Sequence, residues 1–207
     1  MCDDHGVTFE AVIFDIGGVL ELTPSTGWQR KWARRLGLCE EDLQRRLTPL
    51  WRPGELGHSS LSEIERRTAI ELALDERQLK RLTADIWTEY LGTLNTELAA
   101  YFRALRPRCR TGILSNSLIG AREREQAAYG FENMCDVIVY SHEEGMAKPD
   151  RRIFELICTR LTCDPARAIF VDDKPSCVAG ARAVGLHAIQ HRDNPTTILA
   201  LTGLLAG

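Results

Sequence analysis

A chain of 207 residues is long enough for one substantial hydrophobic core, or a core with a small accessory domain. Its 44% hydrophobic and 27% charged residues exclude an intrinsically disordered chain, and a net charge of −3 offers no bulk attraction to nucleic acid or an anionic membrane. The seven cysteines (positions 2, 39, 109, 135, 158, 163 and 177) contain no Cys-x-x-Cys pair, so they point to neither a zinc site nor a disulfide framework and suit a reducing compartment.

From the N-terminus, Met1 to Glu10 carries two aspartates and no apolar run, unlike a secretory signal, and no stretch approaches the roughly 18 apolar residues of a membrane span. A cytoplasmic protein is expected. The first strand is expected at Ala11-Val12-Ile13-Phe14. From about Leu22 to Asn95 no strand-like run occurs, only helical stripes: Trp28, Trp32, Leu36; Leu43, Leu47, Leu50; Leu61, Ile64, Thr68, Leu72; and Leu79, Leu82, Ile86, Tyr90. Ser60 and Glu63 have capping-box spacing ahead of the third stripe. The two tryptophans of the first stripe are read as core packing, and the basic cluster Arg30, Lys31, Arg34, Arg35 as a solvated face. Roughly seventy residues is too long for a loop in a compact domain, so this stretch is expected to be an inserted helical domain.

Four further apolar runs follow, at 111–114, 137–140, 168–171 and 187–189, with helical patterns near 119–129, 150–161, 176–184 and 195–203. Short runs of this kind suit strands buried on both faces of a parallel sheet. The alternation predicts an α/β doubly wound core with five parallel strands, built from residues 1–21 and 96–207, with 22–95 as the helical insert. Asp15 follows the first run, Ser115 the second and Asp172-Asp173 the fourth, while Lys148 lies in a loop after the third. In an open α/β sheet the functional crevice lies beyond the carboxyl ends of the strands, so these groups are expected to converge.

Phe14-Asp15-Ile16-Gly17-Gly18-Val19-Leu20 resembles the first motif of the haloacid dehalogenase-type hydrolases. Leu114-Ser115-Asn116-Ser117 resembles the second, Lys148-Pro149-Asp150 the third and Phe170-Val171-Asp172-Asp173 the fourth. The insert is similar to that family's C1 helical cap, and Trp51-Arg52 through Gly57 and Ile64 looks like a stretch common in such caps. The resemblance implies a Rossmann-like core and a Mg²⁺-dependent phosphatase of a small phosphorylated metabolite, such as a sugar phosphate. Asp15 would be the nucleophile that forms an aspartyl-phosphate. It further implies Mg²⁺ ligands from the Asp15 carboxylate, the Gly17 carbonyl and Asp173, with Asp172 holding a metal-bound water or standing behind the ligands. Ser115 and the Asn116 backbone would bind phosphoryl oxygens, Gly17 and Gly18 would let the backbone approach the phosphate, and Lys148 would offset charge and fix Asp15.

Two positions depart from the family. Most of its phosphatases place a second aspartate, the general acid/base, where this chain has Gly17, and such a loss typically costs ~10²–10⁴-fold. Glu55 and His58 of the insert are candidate substitutes, although a solvated turn explains both more simply. Cys177 stands where the family usually has Asp or Asn, which weakens support of the metal site. Two other readings are a catalytically weak binding or regulatory protein, suggested by Gly17, and a metal-free 2-haloacid dehalogenase, which the paired Asp172-Asp173 disfavour. The expected partner is a small phosphorylated substrate, with neither nucleic acid nor membrane, on a monomer or homodimer.

Overall fold

The computed structural model describes residues 8–206, so Cys2 and the acidic N-terminal residues lie outside the described residues. Five strands form one parallel sheet: β1 (Ala11–Phe14), β4 (Arg110–Ser115), β5 (Val137–Tyr140), β6 (Ala168–Asp172) and β7 (His187–Gln190). Their order is β5-β4-β1-β6-β7. Both neighbours of β1 pair with it in parallel, Phe14 facing Ile113 on one side and Val171 on the other. The chain leaves β1 toward one edge, then returns to build the other, so the crevice opens at the C-terminal end of β1.

The apolar runs explain this sheet. Alternate residues of β1 serve different cores: Val12 and Phe14 pack into one cluster, Ala11 and Ile13 into the other. Helices α5 (Thr96–Leu105) and α10 (Asn194–Ala206) cover the first face, and α8 (Arg151–Leu161) and α9 (Pro175–Ala183) the second. All five expected strands are present, lengthened by at most two residues. Helix α6 (Ala121–Tyr129) follows β4, and a single turn, α7 (Ser141–Glu144), follows β5. No expected helix corresponds to α5; its buried Leu98, Ala99, Phe102 and Leu105 follow the insert directly, and Asn95 caps it.

Between β1 and β4 the chain forms α1 (Trp28–Leu36), α2 (Glu40–Glu55), α3 (Leu61–Glu71) and α4 (Glu76–Leu91). These four helices bury Trp32, Leu43, Leu47, Leu50, Trp51, Ile64, Leu72, Leu82 and Ile86 in a cluster of their own. One expectation fails here, because the stretch is not wholly helical. Thr93–Leu94 (β3) pairs antiparallel with Glu21–Leu22 (β2), a two-residue ribbon that ties the two ends of the insert together. A run of two residues carries no periodicity to detect. The Ser60–Glu63 box is also only half formed: Ser60 Oγ accepts from the Glu63 N–H, but the Glu63 carboxylate turns to Arg66 instead. The complete capping box is Asp75–Gln78, at the start of α4.

The insert also touches the core through its backbone. Ser141 Oγ donates to the Glu55 carbonyl at 2.8 Å, the Ile119 N–H to the Gly54 carbonyl at 3.2 Å, and the Tyr129 hydroxyl to the Leu91 carbonyl at 3.0 Å. At Gly57 (φ 68°) a Cβ would lie 2.1 Å from the His142 carbonyl oxygen, so only glycine fits that contact. Among the described residues no helix is long and apolar enough to cross a membrane.

Candidate active site

Asp15 is the first residue beyond β1, and its N–H continues the sheet by donating to the Val171 carbonyl at 2.9 Å. The turn that follows reverses at once, the Gly18 N–H donating to the Glu21 carbonyl at 2.8 Å. Gly18 holds φ at +76°, and a Cβ on it would sit 2.6 Å from Asp173 Oδ2. The two acidic strand ends therefore approach each other across a glycine that no other residue could replace without displacement. Gly17, in contrast, has nothing within 4 Å of where its Cβ would be.

Lys148 binds the site together. Its Nζ lies 2.7 Å from Asp15 Oδ1 and 2.7 Å from Asp172 Oδ2, with all three side chains nearly withdrawn from solvent. Its backbone is clamped by the Asn116 side chain, which donates to the Lys148 carbonyl and accepts from the Lys148 N–H, both at 2.8 Å. Asp15 Oδ1 also accepts the Ile16 N–H at 2.7 Å, so both of these contacts fall on one oxygen of the carboxylate. Asp172 uses Oδ1 to accept the Lys174 N–H at 2.8 Å and Oδ2 for Lys148, so it acts as the anchor of the ammonium.

Burial, with the nearby Asp172 charge, outweighs Lys148 and pushes the Asp15 carboxyl up to about 6. Burial alone would lower Lys148, but its two carboxylate partners hold it above its ordinary value. Asp15, Asp172 and Asp173 can each offer an oxygen such that these atoms lie within 4.8 Å of one another. Asp173 Oδ1 is buried and has no hydrogen-bond partner among the described residues. Three carboxylates against one ammonium leave a formal charge of −2, and a buried carboxylate oxygen without a partner is a further unmet demand for a donor or a cation. These residues fit a divalent cation held by oxygen ligands.

A cavity of about 320 Å³ opens beside this cluster, lined by Asp15, Gly17, Gly18, Thr23, Asn116, Asp173 and Lys174. A sequence profile of the haloacid dehalogenase-like hydrolases matches residues 9–185, from two residues before β1 to two residues after α9. The chain belongs to this hydrolase family. It is 30% identical over 211 residues to mouse acyl-CoA dehydrogenase family member 10, which covers 97% of this chain but only 19% of that much longer protein. Phosphatase MT3486 of Mycobacterium tuberculosis is 28% identical over 190 residues, 88% of this chain and 87% of its own. (S)-2-haloacid dehalogenase 1 of Pseudomonas sp. (strain CBS-3) is 28% identical over 204 residues, 87% and 83% of the two chains. Among solved structures, a family enzyme from Bacteroides thetaiotaomicron in complex with magnesium and inorganic phosphate superimposes with a TM-score of 0.76 at 19% identity, over 89% and 94% of the chains.

In this hydrolase Asp15, Gly17, Gly18, Asn116, Lys148, Asp172 and Asp173 lie together. Ser115, at the end of β4, is buried and is not among the residues that line the pocket, whereas Asn116 is. Glu55 and His58 have exposed side chains; Glu55 borders a second cavity between insert and core, and His58 lines neither cavity. Cys177 is buried, and burial pushes its thiol up to about 11, which leaves no reactive thiolate. Trp32 packs in the insert core as expected, and half-buried Trp28 packs against that core while also lining the second cavity.

Several site features were not anticipated. Lys174 lines both cavities and Thr23 the smaller one. Glu21 is buried with Oε1 unpartnered, and burial together with the charges of Glu125 and Asp15 pushes its carboxyl up to about 10. Glu125, fully buried, accepts the Tyr140 hydroxyl at 2.6 Å and is pushed up to about 7, mainly by burial. The adjacency of Lys174 to the doublet is a usable signal, as is the apolar setting of Glu21 between Leu20 and Leu22; nothing local marks Glu125 as buried, since it sits among Arg122, Glu123, Arg124 and Gln126.

Proposed function

We propose that this hydrolase is a Mg²⁺-dependent phosphatase that cleaves a small phosphorylated metabolite through an aspartyl-phosphate on Asp15. The observation that carries the reading is the cluster of three carboxylates, of which Asp15 and Asp172 share one buried ammonium while Asp173 Oδ1 is left without a partner among the described residues. A metal-free dehalogenase would confront an anionic substrate with that uncompensated charge. The magnesium and phosphate bound to the Bacteroides enzyme, and the phosphatase name of the Mycobacterium relative, support the same choice.

The Asp15 carboxylate, the Gly17 carbonyl and Asp173 would hold the ion, with Asp172 behind them. When bound, Mg²⁺ would neutralise phosphoryl charge and so lower the electrostatic barrier to an anionic nucleophile. Lys148 holds Asp15 Oδ1, and Oδ2 would attack the phosphorus in line. The Oδ2–P bond forms as the ester P–O bond breaks; water then attacks the phosphorus and regenerates Asp15. Ser115 and the Asn116 backbone would hydrogen-bond the phosphoryl oxygens. Because residue 17 carries no side chain, the leaving alkoxide takes its proton from solvent or from the substrate itself, which favours esters with good leaving groups.

Residues 22–95 serve as the cap that covers the organic part of the substrate, and residues 1–21 with 96–207 as the catalytic core. The protein acts as a cytoplasmic monomer or homodimer. Phosphate release from acetyl phosphate and p-nitrophenyl phosphate, measured with Mg²⁺ and with EDTA, tests the proposal. The wild type should lose turnover in EDTA, and Asp15→Asn should lose it in Mg²⁺. Equal rates for wild type and Asp15→Asn would favour a binding or regulatory protein, and EDTA-resistant release of halide from a 2-haloacid would favour a dehalogenase.

A further inference from the structure

The second cavity, of about 460 Å³, lies between the insert helices and the loop after β4. It is continuous in its lining with the catalytic pocket, since Asn116 and Lys174 border both. The organic part of a substrate whose phosphate sits beside Asp15 can therefore extend into this space. Its deeply buried wall is apolar: Leu47, Trp51 and Ile86 are each less than one-tenth exposed. Half-buried Trp28, Tyr90 and Leu118 complete that wall. Of its polar side chains, Gln44, Thr48 and Arg52 are exposed, whereas half-buried Gln29 turns to Glu89 and the buried Ser117 hydroxyl is taken up by His142.

This distribution selects against a polyol. The buried Trp51 N–H, unpartnered among the described residues, could serve one oxygen, but each further hydroxyl pressed against Leu47 and Ile86 would lose its water partners and gain none, a penalty of roughly five- to a hundredfold per group. A hydrocarbon loses nothing there and gains from leaving water. At about 30 Å³ for each water-sized unit, the space takes roughly fifteen such units, enough for a chain or fused rings of about ten carbons. We propose that the preferred substrate is the phosphate monoester of a hydrophobic alcohol, with its hydrocarbon body between Trp28, Trp51 and Leu47 and its phosphate beside Asp15. This rests on the phosphatase reading for the turnover it predicts, but not for the binding, and it replaces the sugar phosphate expected from the sequence.

The test is the affinity of wild-type protein with Mg²⁺ for alkylphosphonates from methyl to decyl, measured by titration calorimetry. Phosphonates are not hydrolysed, so the result does not depend on catalysis. Affinity should rise about fourfold per methylene over the middle of the series, the factor equivalent to ~0.8 kcal/mol per buried CH₂, and level off once the cavity is full. A phosphonate carrying a polyhydroxylated chain of equal length should bind at least tenfold more weakly than its alkyl counterpart. Thr48→Arg, at an exposed position of α2 where folding is not at stake, puts a guanidinium into the mouth and should cut the gain per methylene to twofold or less. Affinity independent of chain length, absence of binding, or equal affinity for the polyhydroxylated chain would overturn the proposal. If the phosphonate series behaves as stated but no phosphate ester is turned over, the phosphatase reading fails and the hydrophobic site stands.

Discussion

Restoring a carboxyl at position 17 isolates the chemistry that this chain lacks. Gly17 has no atom within 4 Å of the direction a Cβ would take, and its φ lies outside the left-handed region, so Gly17→Asp introduces a side chain without a clash. Residue 17 lines the catalytic pocket beside Asp15, which places the new carboxyl within reach of the leaving-group oxygen. A positioned general acid is worth about 10²–10⁴-fold where proton transfer limits the rate, or ~3–5 kcal/mol of barrier. The gain must depend on the leaving group. Alkyl phosphates, whose alkoxides are poor leaving groups, should gain at least 100-fold in kcat/KM, whereas acetyl phosphate and p-nitrophenyl phosphate should change by less than about fivefold. Gly17→Ala serves as the steric control and should leave both classes within about threefold of wild type. An equal effect of Gly17→Asp on all leaving groups would refute the argument that the missing acid limits this enzyme.

The other expectations concern the groups around that position. Gly18→Ala forces a Cβ to within 2.6 Å of Asp173 Oδ2 at a φ of +76°, so turnover should fall at least 100-fold and the Mg²⁺ concentration for half-maximal rate should rise, while circular dichroism stays native. Lys148→Met leaves buried Asp15 and Asp172 without their shared cation; turnover should vanish, and the loss of ~3–5 kcal/mol should show as a fall in Tm that added Mg²⁺ partly reverses. Lys174, exposed and lining both cavities, should act mainly on binding, so Lys174→Ala should raise KM about three- to tenfold with kcat nearly unchanged.

Glu21 gives a stability prediction with a definite sign. Its folded value, near 10, lies above the ordinary 4.5, so its contribution is fully present below pH 4.5 and is lost as pH rises toward 10, by at most ~1.4 kcal/mol per pH unit. Glu21→Gln mimics the neutral acid and should be close to wild type in urea denaturation at pH 5 and more stable at pH 9. Equal stability differences at both values would place Glu21 in water rather than in the interior.

What the sequence discloses here is governed by how local each signal is. The β1 run Ala11–Phe14 is apolar at four successive positions because both sheet faces are covered, and such a run is readable without neighbours. Asp15, Asp172 and Asp173 are legible for the same reason, since a charge that interrupts an apolar run at its C-terminal end is conspicuous. The insert stripes disclose four helices, but Thr93–Leu94 pairs with Glu21–Leu22 across more than seventy residues, and neither dipeptide has a pattern of its own. The proton-bearing cluster of Glu21, Glu125 and Tyr140 is similarly assembled from three distant segments, so its burial exists only in three dimensions. The role of Asn116 was only half legible: its position beyond β4 placed it in the pocket, but the clamp its side chain forms on the Lys148 backbone depends on a loop 32 residues away.

The central claim is that Asp15 carries the phosphoryl group during turnover. Acid quench of the enzyme during reaction with acetyl phosphate and Mg²⁺, followed by peptide mass spectrometry, reads this directly. One phosphoryl group on the peptide that contains Asp15, absent in EDTA and in Asp15→Asn, is the predicted result. Steady turnover in Mg²⁺ with no phosphorylated peptide, or with the phosphoryl group on another residue, would contradict the account.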